Sequence, residues 1–277
     1  MKIGIYGGTF NPPHVGHFQG AEYAAEELKL DRLLMVPGAV APHKQLPEDS
    51  PAGAQRLQMV RLGIGESNVI EASDLELQRE GTSYSYLTVE AVHEQYPDAE
   101  LYFVMGSDMF LTFEEWKNPD KITALATLVV LSRGIREEQE AVAEQKQKME
   151  QQGCRIIALH NPITDISSTD LRRMLIFRCA DPFLRPAVAE YIRENRLYGT
   201  GEDYRNLPME KLEQVVISLL KPSRVKHVLG VRDTAEKLAR LYGADVTDAG
   251  RAGILHDVTK ALPPALQLTL CREYGTM

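Results

Sequence analysis

Between Lys2 and Leu159 the chain alternates short, mainly apolar runs with stretches of helical spacing, and this alternation is its strongest constraint on fold. The apolar runs are Lys2–Tyr6, Arg32–Val36, Val69–Ala72, Glu100–Met105, Thr127–Ser132 and Arg155–Leu159. Helical spacing marks Ala21–Leu30, Gln55–Gly65, Tyr86–Gln95, Glu137–Gln152 and Ser168–Ile176. A strand that is apolar on both faces must be covered on both faces, so the pattern predicts an α/β domain with a parallel sheet. Beyond Pro208 the spacing is helical only, over Met209–Leu220, Ser223–Tyr242, Ala249–Leu255 and Pro264–Tyr274. A polar stretch near Gly199–Asn206 separates the two regimes. The chain therefore reads as an α/β domain over 1–200, a linker over 201–208 and a smaller all-α domain over 209–277.

The 277 residues are 44% hydrophobic and 25% charged, enough to bury a core. A net charge of −8 argues against a nucleic-acid partner, which calls for a broad basic surface, although a local basic pocket can still hold an anion. Cys154, Cys179 and Cys271 are scattered and form no CxxC pair, which fits a reducing cytoplasm. The N-terminus reads as a strand rather than a signal peptide, and no apolar run approaches the roughly 18 residues of a membrane span. The expectation is a soluble cytoplasmic protein without a membrane partner.

The first chemical motif is GGTFNPPHVGH, residues 7–17, between a strand and a helix. Glycines there let the backbone approach a ligand, and the helix start offers free N–H groups to a phosphate. His14 and His17 are three apart, so on a helical first turn they share a face and can both donate to phosphate oxygens. Neither GxGxxG nor GxxxxGK[ST] occurs, which speaks against a dinucleotide-binding dehydrogenase or a P-loop enzyme. Ser167-Ser168-Thr169-Asp170 is an N-cap sequence with Arg172 on the first turn behind it, a second phosphate-type site. Gly106-Ser107-Asp108 ends a strand, where open α/β sheets bind ligands.

Residues 7–17 resemble the signature of the nucleotidyltransferases that share an HxGH motif with class I aminoacyl-tRNA synthetases. Over 1–198 the chain resembles bacterial nicotinate-nucleotide adenylyltransferase. The segments that carry the likeness are VPGAVAPHK (36–44), REGTSYSYLTVEAV (79–92), LYFVMGSDMFLTFEEWKNPDKI (101–122), LVVLSR (128–133), DISSTDLRRML (165–175) and AVAEYIRENRLY (187–198). The resemblance implies a Rossmann-like, doubly wound parallel sheet. It also implies transfer of the adenylyl group of ATP, with Mg²⁺, to nicotinate mononucleotide in NAD biosynthesis. It assigns His14, His17, Lys44 and Arg172 to catalysis on the triphosphate. Gly7, Gly8, Thr9, Phe10, Gly106, Asp108, Arg133, Ser167 and Ser168 are assigned to ATP, with Asp108 at the ribose. Ser85 stands where the family usually has Thr, in the turn that receives the nicotinate carboxylate, and Trp116 stands where an aromatic stacks on the pyridine ring. Tyr86-Leu87 replaces a more polar pair beside Ser85, and His43 has no assigned role.

Residues 223–262 contain HVLGV and GILHD, with His227, His256 and Asp257. They resemble the opening half of an HD domain, in particular the bacterial hydrolases of symmetrical diadenosine tetraphosphate. Imidazole and carboxylate ligands from separate helices can assemble a divalent iron or manganese centre that activates water. The family's remaining histidines and distal aspartate would fall beyond Met277, and the only acidic residue after Asp257 is Glu273. The expectation is a truncated HD part that binds metal poorly and lacks hydrolase activity, its unfilled core able to drive homo-oligomerisation. Two other readings stand beside the adenylyltransferase: transfer to another acceptor such as phosphopantetheine, and a nucleotide sensor that has lost catalysis.

Overall fold

The computed structural model describes residues 1–39, 46–47, 50–79, 81, 83–132, 136–164, 166–260 and 262–275. Six strands, β1 (Lys2–Gly8), β2 (Arg32–Pro37), β3 (Ile70–Ala72), β4 (Glu100–Gly106), β5 (Ala126–Leu131) and β6 (Ile156–Leu159), form one sheet in the order β3-β2-β1-β4-β5-β6. Every pairing is parallel; Ile5 pairs with Leu34 on one side and Phe103 on the other. The chain starts in the middle and winds outward twice, so the order reverses between β1 and β4, and ligands bind outside the strand C-termini at such a point. Ile3, Ile5, Leu34, Val36, Phe103 and Leu128 are at most 6% exposed, which is why these strands show no apolar–polar alternation.

Helices α1 (Val15–Glu27), α2 (Gly53–Ile64), α3 (Ser85–Gln95), α4 (Ser107–Leu111), α5 (Pro119–Leu125), α6 (Arg136–Gln151), α7 (Ser168–Ile176) and α8 (Pro186–Glu194) connect and follow the strands. The first helix begins six residues ahead of the stretch that its composition marks, because His14 acts as its N-cap. Helices α4, α5 and α8 lack an apolar period long enough to read; α5 and α8 each open on a proline.

The chain divides into two compact units, Met1–Arg172 with Ala180–Tyr198, and Arg173–Cys179 with Gly199–Met277. The second holds α9 (Met209–Leu219), α10 (Pro222–Tyr242), α11 (Val246–Leu255) and α12 (Pro264–Glu273). Its core comprises Leu207, Leu212, Val216, Leu220, Val228 and Ile254. The stretch 201–208, read as a linker, contributes Leu207 to that core, and the Arg251 guanidinium donates to the carbonyls of Tyr204, Arg205 and Leu207 at 3.0, 2.7 and 2.7 Å. Segment 173–179, placed by sequence in the α/β domain, groups with the helical unit, where the Tyr274 hydroxyl donates to the Phe177 carbonyl at 2.5 Å. Asp245 caps α11 through the Asp248 amide at 2.8 Å, starting that helix three residues before the sequence reading. Among the described residues, no helix is long and apolar enough to cross a membrane.

Candidate active site

The turn after β1 delivers the two histidines to the strand C-termini. A Cβ on Gly8 would lie 2.9 Å from the Phe10 ring, whereas Gly7 opens onto empty space. Phe10 takes φ 46° and is 1% exposed, so this strained residue is held by burial. His14 and His17 form a reciprocal cap. The His14 amide donates to His17 Nδ1 at 3.1 Å, and the His17 amide donates to the His14 carbonyl at 2.9 Å. Their rings lie 3.6 Å apart between centroids at 32°, and the Phe10 edge meets His17 at 5.1 Å. Because Nδ1 of His17 accepts, a neutral His17 carries its proton on Nε2 and presents a donor there. The cap thus sets a tautomer as well as a helix start.

Helix α7 reaches the same turn from some 160 residues away. Ser167 Oγ donates to Asp170 Oδ2 at 2.7 Å and accepts from the Asp170 amide at 3.1 Å, an N-cap bond. Ser168 Oγ donates to the Pro12 carbonyl at 3.0 Å, and Arg172 Nη1 to the Asn11 carbonyl at 2.7 Å. These two candidate phosphate ligands therefore also brace the histidine turn. From the opposite side, Tyr198 OH donates to Asn11 Oδ1 at 2.8 Å, while Asn11 Nδ2 donates to Ser50 Oγ at 2.9 Å.

Gly106 caps α4 at the end of β4, and Asp108 sits half-buried on its first turn. Ser85 opens α3 half-buried, and the preceding turn is tied to the loop after β2 by the Ala39 amide, which donates to Ser83 Oγ at 3.0 Å. Trp116 ends a 3-10 turn (Phe113–Glu115) and packs its ring on Phe103 at 6.1 Å and on Phe113 at 5.3 Å, with the rest of it partly exposed. Lys44, His43 and Arg133 lie outside the described residues. Asn11 and Tyr198 did not emerge from the sequence as supports of this turn, because they meet each other only on folding.

In the helical unit, His227 from α10 meets His256-Asp257 just after α11. Nε2 of His227 stands 3.2 Å from Nε2 of His256, and these atoms lie 3.6 and 3.5 Å from Asp257 Oδ2. His256 Nδ1 is 2.7 Å from the Gly253 carbonyl, which places the proton on Nδ1 and leaves Nε2 as a ligand atom. The spacing suits three adjacent ligands of one divalent ion, so the donor set fits a metal. Burial works against the Asp257 carboxylate, but the Arg224 and Lys260 charges outweigh it and hold its pKa below the ordinary value. Arg224 Nη2 bonds Asp257 Oδ2, the oxygen nearest both histidines.

Residues 5–174 match the cytidylyltransferase-like family and residues 224–276 match the HD domain. A protein of Pelobacter propionicus named as a probable nicotinate-nucleotide adenylyltransferase is 38% identical over 213 residues, covering 72% of this chain and 98% of the relative. A protein of the same name from Listeria innocua is 33% identical over 198 residues, covering 72% and 97%. Among solved structures, the Plasmodium falciparum nicotinic acid mononucleotide adenylyltransferase complexed with NaAD shares the fold, with a TM-score of 0.60 and 19% identity over 72% of this chain and 98% of that one. The family match and the relatives agree, and the chain belongs to the nicotinate-nucleotide adenylyltransferases of the cytidylyltransferase-like family.

Proposed function

We propose that this chain transfers the adenylyl group of ATP to nicotinate mononucleotide, giving nicotinate adenine dinucleotide and pyrophosphate. The observation that carries the reading is the reciprocal His14–His17 cap, which fixes an Nε2 donor at the C-terminal end of β1. In the reaction a phosphate oxygen of the acceptor attacks the α-phosphorus in line, the bond to the β,γ-diphosphate breaks, and pyrophosphate leaves. The protein supplies position and charge rather than a nucleophile. His17 donates to the α-phosphate and His14 to the neighbouring phosphates. Lys44, Ser168 and Arg172 neutralise the departing charge, and Gly7, Gly8, Thr9, Phe10 and Ser167 shape the cradle. Asp108, with Gly106, holds the ribose hydroxyls, and Arg133 is the family's residue for the adenine side. Ser85 receives the nicotinate carboxylate, and the exposed face of Trp116 stacks on the pyridine ring. ATP enters with Mg²⁺, which supplies further charge neutralisation on the phosphates.

The test is pyrophosphate release from ATP and Mg²⁺ with nicotinate mononucleotide or its amide. Strong release with the acid, weak release with the amide and none after His17→Ala is the expected result. No release with either acceptor despite ATP binding would shift the assignment to another acceptor or to a sensor. For the helical unit we infer weak binding of a divalent iron or manganese ion, because Arg224 competes for Asp257 Oδ2, and no hydrolysis of diadenosine tetraphosphate; metal-dependent ADP release would overturn this.

A further inference from the structure

Arg56, on the first turns of α2, is 1% exposed in an acidic protein. Its Nη1 donates to the Thr9 carbonyl at 2.6 Å and its Nη2 to the Gly38 carbonyl at 2.7 Å. Thr9 is the residue after β1 and Gly38 the residue after β2. The Gly38 amide also donates to the Gly8 carbonyl at 2.9 Å, so the fork closes a clasp between two loops. One of those loops carries His14 and His17, and the other leads to Lys44.

The clasp uses neutral carbonyls, so the guanidinium gains no close ion-pair partner from it, and Glu76 offsets its charge only from farther away. Glu76 is the nearby carboxylate; its Oε1 accepts from Thr88 Oγ1 at 2.8 Å, and among the described residues no carboxylate lies within 4.0 Å of Arg56. Its Nε is buried with no hydrogen-bond partner among them. Burial pushes the Arg56 pKa below its ordinary value, with Tyr198 and Glu76 pulling the other way. A buried cation without a close ion-pair partner is costly, and a neutral amide could tie two carbonyls at less cost. The use of arginine here matches a site that must receive polyanions.

We propose that Arg56 is a positioning residue for adenylyl transfer. It sets the histidine loop against the loop after β2 at the spacing the two phosphate-bearing substrates require, and it adds positive charge beneath them without touching them. This rests on the adenylyltransferase reading above. Arg56→Lys keeps the charge but cannot fork between both carbonyls, whereas Arg56→Gln removes the charge as well.

The experiment uses the full chain with three measurements: steady-state kinetics, ATP binding by calorimetry, and the folded fraction from Trp116 fluorescence. For Arg56→Lys the expected result is a fall in kcat of about tenfold or more with little change in ATP affinity, because misplacement of reacting groups acts on the chemical step. For Arg56→Gln, ATP affinity falls as well, about tenfold, as expected when a desolvated charge near an anion site is lost. Wild-type kcat in Arg56→Lys overturns the proposal, as does unchanged ATP affinity in Arg56→Gln. A loss of activity in either variant that merely tracks the folded fraction also overturns it. Failure of the wild type to use nicotinate mononucleotide while binding ATP would instead sink the acceptor assignment, because the ATP-affinity comparison needs no acceptor.

Discussion

Tyr198→Phe removes a single oxygen atom from the wall behind the histidine loop. Tyr198 is 5% exposed and its hydroxyl donates at 2.8 Å to Asn11 Oδ1; Asn11 is itself 2% exposed. Neither group has water to fall back on, so the phenylalanine leaves a buried amide oxygen without that donor at a cost of about 1–3 kcal/mol. In a unit of this size each kcal/mol lowers the melting temperature by about 2–4 °C. Trp116 is the chain's only tryptophan and packs on Phe103 and Phe113 in the same unit as Tyr198 and Asn11. Its fluorescence therefore reports melting of that unit alone. Asn11 also offers its carbonyl to Arg172 and precedes Pro12, whose carbonyl Ser168 holds, so loosening Asn11 moves the turn that carries both histidines. The expected outcome is a lower Trp116 melting temperature and a kcat/KM reduced by about an order of magnitude, since small misplacements act strongly on rate. A double-mutant cycle with Asn11→Ala should return a coupling of about 0.5–3 kcal/mol. A Tyr198→Phe chain that melts with the wild type, or a cycle with no coupling, would refute the reasoning.

Gly63→Ala normally gains up to about 1 kcal/mol inside a helix, but here the new Cβ would lie 1.9 Å from Phe18 Cζ, and overpacking of about 1–3 kcal/mol reverses the sign. The Trp116 melt should move down, and an upward shift would show that Phe18 yields freely. Trp116→Leu should raise KM for nicotinate mononucleotide several-fold while leaving KM for ATP in place, as steady-state kinetics with each substrate varied will show. His256→Ala should abolish Co²⁺ binding followed by absorbance, and pyrophosphate release should stay at the wild-type rate. Hydrogen bonds from Lys148 and then Gln145 hold Glu114 below its ordinary 4.5, so its contribution to stability is present above that value and fades as pH falls through the folded one. Glu114→Gln should accordingly melt slightly below the wild type at neutral pH and converge with it in acid.

Local chemistry determined a great deal. The six apolar runs, their alternation with helices and the change to helical spacing after Pro208 follow from side-chain type and period alone. His14, His17, Asp108, Ser168 and Arg172 stood out as candidates because Gly, His and capping residues at strand ends and helix starts suit ligand binding, and the structure puts them on the opening turns of α1, α4 and α7. The start of α1 was hidden, because a histidine N-cap with a histidine in the reciprocal position is not the usual Ser/Thr and Glu/Gln pair. Arg56 left one signal: it shares a stripe with Met59, Val60 and Gly63 at helical spacing, so a charge sat where the pattern demanded burial. The rest belongs to the tertiary structure. The fork on Thr9 and Gly38, the Tyr198–Asn11 bond 187 residues apart in sequence and the meeting of His227 with His256-Asp257 all join groups brought together by folding. Backbone carbonyls are identical at every position, so a sequence carries no mark of which ones a buried guanidinium or serine will find; packing decides it.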